Sequence, residues 1–338
     1  MCQFFVNLES RDDCSQVRGM HIMTKNMSDV VVIGGGAAGL SAALTLARAR
    51  RRVTVVDAGD PRNAPATAAH GLLGLDGVNP FELLSKGRTE VETYGGNIIR
   101  AQVIEASATL DGFVLTLENG KILHGRVLVI ASGVVDELPQ IPGLRERWGR
   151  DVVHCPYCHG WEIRDKKIGL LATGPMSALQ ALLFRQWSDQ MYFFPQGFEF
   201  SDTDMKKLAA VGVEVVRGDV VGVEAEADQL SGVRLRDGGL VELDALAVPT
   251  RTVARVDGLA GLGLKMTENP MGLSMVADTT GLTSVPGVWV AGNAVGPAMQ
   301  VSEAAANGAR VAMTINTELV FQDADRAVAD TVTRNGEV

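Results

Sequence analysis

One short stretch, His154-Cys155-Pro156-Tyr157-Cys158-His159-Gly160-Trp161-Glu162, gathers two thiols, two imidazoles and a carboxylate. Thiols separated by two residues can close a disulfide, and a helix terminus or a neighbouring imidazolium lowers one thiol's pKa enough to populate the nucleophilic thiolate at neutral pH. His159, adjacent to Cys158, can shuttle the proton, because an imidazole titrates near neutrality. Glu162 follows three residues later, so a helical segment would bring its carboxylate to the same face to orient that imidazole. His154, Cys155, Cys158 and His159 are also zinc-ligand types, but adjacent pairs would have to converge on one tetrahedral ion from a single short loop. Thiol redox chemistry is therefore the first reading and a zinc-stabilised, non-enzymatic module the lesser alternative. For His154 a loop-bonding role and a catalytic one stand level.

A second cluster binds rather than reacts. Gly34, Gly36 and Gly39 satisfy G-x-G-x-x-G directly after the apolar run Val30-Val31-Val32-Ile33, with Ala38 inside the motif where a helix begins. In that pattern the first glycine permits a tight turn, the second lets the backbone approach a pyrophosphate, and the third lets helix and strand pack closely. The helix N-terminus offers N–H groups and a positive dipole end to the phosphates. Asp57, closing the next strand, is placed to accept hydrogen bonds from an adenosine ribose.

These residues need elements to hold them. The strand before Gly34, a helix over 37–50 and the strand Val53-Thr54-Val55-Val56-Asp57 form one strand–helix–strand unit with a parallel sheet. Lys167-Ile168-Gly169-Leu170-Leu171, a helix over 176–187 and Gln190-Met191-Tyr192-Phe193-Phe194 form a second. Between them lie Phe113-Val114-Leu115-Thr116-Leu117 and Val127-Leu128-Val129-Ile130, and near the end Gly287-Val288-Trp289-Val290-Ala291-Gly292-Asn293 repeats the strand-to-turn pattern before a helix over 301–319. The expected fold is α/β with two Rossmann-like nucleotide-binding domains, the second (136–244) inserted into the first (28–135 and 245–320). Residues 1–27 are expected to be a poorly ordered extension in which Cys2 and Cys14 are incidental thiols, and the tail 321–338 to fray.

Composition narrows the class. With 338 residues and 46% hydrophobic content the chain can bury a sizeable core, and its net charge of −9 argues against nucleic acid and anionic membrane as partners. The first residues lack the apolar core of a signal peptide, and no apolar run is long enough to cross a bilayer. Four cysteines, two of them in the C-x-x-C, fit a reducing compartment, so a cytoplasmic location is expected.

The second unit lacks what the first has. Where paired glycines would begin its turn stand Ala172-Thr173, leaving Gly174 before Pro175, which has no N–H for a phosphate, and Ser177 occupies the position of a small packing residue. Pro195-Gln196-Gly197 supplies neither an acid for a ribose nor an arginine cluster for a 2′-phosphate. Weak or absent nicotinamide binding is expected.

From Asp29 to about Leu319 the chain resembles the low-molecular-weight thioredoxin reductase family. The resemblance is carried by the Gly34 turn, Ala131-Ser132-Gly133 for the family's A-T-G, the C-x-x-C in the insert, and Ala291-Gly292-Asn293 for A-G-D. It implies FAD as cofactor and a homodimer. FAD contacts would come from Ala131, Gly133, Gly292 and Asn293, whose amide could replace the usual acid at a phosphate or ribitol hydroxyl. Gln300 and Val301 stand where a helix N-terminus meets the flavin pyrimidine ring; substrate choice would rest on loops around Asn63, His70 and Gly71, near where the family covers the flavin, and for His70 a structural loop role and flavin contact stand level.

Two departures shift the reading: His159 replaces the acid after the second cysteine, and the nicotinamide turn is degenerate. C-P-Y-C-H-G-W-E looks like the branch of dithiol oxidases that close disulfides in microbial metabolites of the gliotoxin, holomycin and romidepsin types. That likeness implies a small-molecule dithiol and O2 as substrates and H2O2 as product. Cys155 would exchange with substrate, Cys158 would face FAD, and His159 with Glu162 would handle protons. Trp148 and Trp161 are read as core packing before pocket wall. The alternative is an NADPH- or ferredoxin-dependent reductase of a thioredoxin-like protein or another disulfide.

Overall fold

A computed structural model describes residues 27–336; the extension 1–27, apart from Met27, lies with Cys2 and Cys14 outside the described residues. The first sheet contains β1 (Ser28–Ile33), β2 (Val53–Asp57), β3 (Asn97–Arg100), β4 (Val103–Thr109), β5 (Gly112–Leu117) and β6 (Ile122–Ile130) in the order β3-β2-β1-β6-β5-β4. Its last strand in sequence, β19 (Val288–Val290), pairs in parallel with the C-terminal half of β6. Strand β1 is central, parallel to β2 on one side and β6 on the other. Its continuous apolar run follows from burial on both faces. Val30 and Val32 join one core with Leu40, Leu46 and Ile315, and Val31 and Ile33 join the other with Leu115, Leu128 and Leu259.

Helix α1 (Ala37–Arg48) and the C-terminal helix α6 (Val301–Gly336) cover the first of these faces. They touch backbone to backbone, since a Cβ on Gly308 would collide with the Ala38 carbonyl. Val311, Ile315 and Leu319 recur every four residues and are fully buried. The helix runs on beyond Phe321, and Arg51 and Arg126 hold Asp323 at 2.5 and 2.8 Å just past the expected end. Helix α2 (Pro80–Thr93) begins at Asn79, whose side chain accepts from the Phe81 and Glu82 N–H groups, with Pro80 in its first turn.

The insert has its own parallel sheet of β8 (Val152–Val153), β9 (Ile168–Leu171), β10 (Met191–Phe194), β11 (Glu214–Val215) and β15 (Ala245–Ala247), ordered β11-β10-β9-β15-β8. Between β8 and β9 lies the single turn α3 (Pro156–His159). One face of the sheet packs α4 (Ser177–Phe184) and α5 (Asp202–Ala210); the other packs an antiparallel sheet of β12 (Val220–Glu226), β13 (Gln229–Leu235) and β14 (Leu240–Glu242). Strand β15 corrects the expected boundary. Ala245, Leu246 and Ala247 are fully buried between β8 and β9, so the chain leaves the insert after Ala247 and not at 245.

Two strands carry the chain across, β7 (Val134–Glu137) outward and β16 (Arg251–Ala254) back, and they pair antiparallel with Asp136 opposite Thr252. With β17 (Met266–Asn269) and β18 (Gly272–Met275) they form a separate four-stranded sheet. Asp136 is the polar anchor of this crossing. Arg62 donates to both its oxygens at 2.7 Å and to the Pro297 carbonyl at 3.0 Å, while the Thr250 hydroxyl donates to Asp136 at 2.6 Å. Burial works to raise the Asp136 carboxyl, but Arg62 and Thr250 outweigh it and hold the group below the ordinary carboxylate range.

Asp136→Asn should therefore destabilise the protein by about 3 kcal/mol at neutral pH, because the Arg62 guanidinium loses its counter-charge in a largely buried site. A depressed folded pKa contributes stability that is complete above the ordinary value of 3.8 and is lost as pH falls through the folded value. Urea unfolding of wild type and variant should show a gap that narrows below about pH 4; a gap independent of pH would assign the anchor to hydrogen bonding alone.

Candidate functional site

A cleft of about 730 Å³ is lined from both domains, by Gly34, Gly36, Asp57 and Gly133 of the first and by Cys155, Cys158 and His159 of the insert. Ala38, Asn63, His70, Ala131, Gly292, Asn293, Gln300 and Val301 also line it. Gly39 and Glu162 do not. The Gly39 position is instead pressed against the Gly34 carbonyl, which leaves no room for a Cβ.

Each turn residue has a physical reason to be there. Gly34 has φ +109°, a region that side chains rarely adopt, and its backbone runs against Ala131. A Cβ at Gly36 would meet nothing within 4 Å, and no side chain caps α1, so the first N–H groups of the helix stay open to an anion. Asp57 is buried and already engaged: it accepts from Gly35 N at 3.3 Å and Gly59 N at 3.0 Å and pairs with Arg100 at 2.9 Å. Asn293 is partly engaged within its own loop. Its amide N–H groups go to the carbonyls of Gly296, Pro297 and Met299 at 2.9–3.2 Å, so they are spent on the loop and only the side-chain carbonyl is left for a ligand. Gln300 opens α6, its N–H donating to the Glu303 carboxylate at 3.0 Å.

At the thiol end, Cys155 and Cys158 are joined in a disulfide with Cα atoms 5.3 Å apart. Cys155 is the N-cap of α3, and its carbonyl accepts from Cys158 N and His159 N. Gly160 lets the loop lie flat on the Trp187 ring, where a Cβ would clash. The helix ends at His159 but helical turns continue beyond it, with Gly160 in the αR region and the His159 carbonyl accepting from Glu162 N and Ile163 N, both at 3.2 Å. Glu162 faces His70, with Oε1 3.5 Å from Nε2, and His159 Nδ1 is buried without a hydrogen-bond partner. Burial lowers the His159 pKa against the opposing pull of Glu162.

His154 is bonded to the crossing. Its Nδ1 lies 3.4 Å from both the N–H and the hydroxyl of Thr250, the same hydroxyl that donates to Asp136. Burial, then the Arg62 charge, lowers its pKa. Both imidazoles beside the disulfide are thus held towards the neutral form. Among the described residues no cluster of three or more metal-ligating side chains forms. Trp148 lines the cleft, whereas Trp161 is 65% exposed with the Arg164 guanidinium 4.1 Å above its ring. The Arg62–Asp136–Thr250 chain escaped sequence reading because its members meet only through the crossing strands.

The second nucleotide-type turn is closed. The hydroxyl of Ser177, itself 1% exposed, accepts from Thr173 N at 3.1 Å and Gly174 N at 3.3 Å, two N–H groups of the turn. After β10 the Gln196 side chain is occupied by both backbone groups of Val220, at 2.7 and 3.2 Å. Met176 and Leu179 leave half-exposed apolar side chains beside this turn.

The sequence profile of the pyridine nucleotide-disulphide oxidoreductases matches residues 28–308. A thioredoxin reductase named tcpT, from Claviceps purpurea, is 33% identical over 315 residues, 88% of this chain and 96% of its own length. Another, sirT from Leptosphaeria maculans, is 32% identical over 87% of this chain and 95% of its own. Among solved structures, HlmI superposes with TM-score 0.85 at 45% identity over 90% of this chain and 98% of its own. An oxidoreductase from Agrobacterium tumefaciens superposes with TM-score 0.83 at 37% identity over 87% and 99%. With its glycine turn, cleft and disulfide, the chain belongs to the pyridine nucleotide-disulphide oxidoreductase family, as an FAD-binding, thioredoxin reductase-like thiol–disulfide oxidoreductase.

Proposed function

We propose that the protein is an FAD-dependent dithiol oxidase, closing an intramolecular disulfide in a small-molecule dithiol with O2 as acceptor and H2O2 as product. The observation that carries this reading is the closed second turn. With Thr173 N and Gly174 N taken by Ser177, phosphate binding there would first have to break two buried hydrogen bonds, each worth about 1 kcal/mol net and more if left unpaired. Electrons entering from a thiol need no such site. The relatives named thioredoxin reductase favour the other reading, in which NADPH or a ferredoxin-like donor drives reduction of a protein disulfide.

The cleft fits FAD through the open α1 terminus at Gly36, the strained Gly34 turn and the uncharged Asn293 loop. In this reading Gly34, Gly36, Ala38 and the α1 N–H groups hold the pyrophosphate, and Asp57 the ribose. Ala131, Gly133, Gly292, the Asn293 carbonyl and the α6 start at Gln300–Val301 hold the flavin half, beneath Asn63 and His70. FAD supplies a two-electron acceptor that passes the pair to oxygen.

The protein's own chemistry is sulfur exchange. A substrate thiolate attacks Cys155 Sγ, forming a mixed disulfide and expelling Cys158 as thiolate. The second substrate sulfur then attacks the first, closing the product disulfide and releasing Cys155. Two electrons have now moved from substrate to the cysteine pair, and of the two substrate thiol protons one rests on His159 and the other on the released thiol. His159, neutral and with a free buried Nδ1, accepts a thiol proton at this step, and His154 holds the disulfide loop on the domain crossing.

Anaerobic addition of a small dithiol should bleach the flavin, with colour and peroxide returning when oxygen is admitted, while NADPH should leave it coloured; rapid bleaching by NADPH would install the reductase reading. Cys155→Ser and Cys158→Ser should each abolish turnover with flavin still bound, and residual oxidase activity in either would overturn the exchange mechanism. His159→Ala should slow flavin reduction by about a hundredfold. Because His159 accepts a proton only when neutral and its pKa lies below the ordinary 6.5, the acid limb of the wild-type rate should fall below that value; an acid limb above 6.5 would remove His159 as the base.

A further inference from the structure

One polar bridge joins the domains at the thiol end of the cleft. Residues 70–77 turn back on themselves through Gly71, Gly74 and Gly77, all with φ near +80° (75°, 81° and 78°). The turn brings Asp76 to its own beginning, where it accepts from Gly71 N at 2.8 Å and lies 3.3 Å from His70 Nδ1. The ring is thereby fixed, with Nε2 aimed at the insert and Glu162 Oε1 3.5 Å away. Each ring nitrogen faces a carboxylate oxygen, Asp76 on one side and Glu162 on the other. The Gly71 side of the loop rests against the Gln300 side chain.

We propose that His70 is a positioning residue of the dithiol site: pinned by Asp76, it holds the Glu162 carboxylate across the domain boundary and away from His159, which keeps the His159 ring an open proton acceptor beside Cys158. Without that hold Glu162, three residues from His159 and 41% exposed, is free to turn back and pair with the imidazole. Paired with a carboxylate, His159 would rest as the cation and could not take a proton. The titratable groups facing His159 are Glu162 on its own loop, His154 ahead of the disulfide and His70 from the other domain. Burial lowers its pKa, Glu162 raises it, and His70 adds to the lowering.

The proposal rests on the thiol-proton role given to His159, but its test needs neither substrate nor oxygen. In the full-length flavin-loaded protein, with the disulfide reduced anaerobically, the pH dependence of iodoacetamide alkylation at Cys155 and Cys158 reports how well a thiolate is stabilised. His70→Ala should free Glu162 to charge His159 and move the profile to lower pH by about one unit. Glu162→Gln should move it to higher pH, and His70→Ala in the Glu162→Gln background should add little, as expected for residues acting as a unit. His70→Gln, which keeps a donor for Glu162, should stay close to wild type. An unmoved or upward profile in His70→Ala, the same downward shift with and without Glu162, or loss of flavin as the sole effect would overturn the proposal. Failure of the oxidase reading shows separately, as a wild-type flavin that a dithiol does not bleach.

Discussion

The antiparallel pairing of Val134–Glu137 with Arg251–Ala254 is the constraint on which the site depends. The flavin-type turn and the disulfide belong to different sheets, and the chain passes between those sheets only through these two strands. Two paired strands alone would swing. Asp136 stiffens them by taking Arg62 from the first domain and Thr250 from the return strand's approach, and Thr250 passes the connection to His154, next to Cys155. Packing adds to this, since Pro65 of the first domain fills the space where Gly149 of the insert lacks a side chain. The position of the thiols over the cleft is thus set by a polar chain at the pivot and by contacts of the 61–77 loop at the rim.

The two nucleotide-type domains show how little separates an open site from a closed one. Both begin with a buried parallel strand and turn into a helix. In the first, glycine at position 36 and an uncapped helix leave N–H groups facing a cleft. In the second, one hydroxyl at Ser177 takes the turn N–H groups of Thr173 and Gly174 from within and is itself buried. Satisfied groups make the turn stable without a ligand and remove the driving force for binding one. The scaffold survives because its sheet still packs α4 and α5, and because it still carries the C-x-x-C.

Local pattern made most of the fold legible. The doubly buried strand at Val30–Ile33, the glycine turn and the insertion of one unit into the other all follow from periodicity and short motifs, as do the thiols and their neighbouring imidazoles. What escaped depended on contacts distant in sequence. The three-residue spacing linked Glu162 to His159, but nothing local could show that the Glu162 carboxylate also meets His70 on a loop from the other domain. The polar composition beyond Phe321 gave no sign that Asp323 is held by arginines of other elements. Ala245-Leu246-Ala247 carries no mark of the sheet it joins, so the return boundary fell short of β15.

Replacing the family's acid with histidine after the second cysteine changes the resting protonation of the site more than its reach. A buried carboxyl tends towards the neutral, proton-donating form, and a buried imidazole towards the neutral, proton-accepting form. An acceptor is what a thiol needs before it can attack a disulfide, and a donor is what a departing thiolate needs when a disulfide is opened by reduction. The base does not set the direction of the reaction, since the same group must return its proton in the reverse step. Direction comes from where electrons enter and leave, and in the proposed reading the Ser177 turn disfavours one entrance while His159 and His154, both shifted towards the neutral form by burial, suit the other. Two changes on separate elements, one in a nucleotide turn and one beside a thiol, therefore bear on the same property: which partner reduces the flavin.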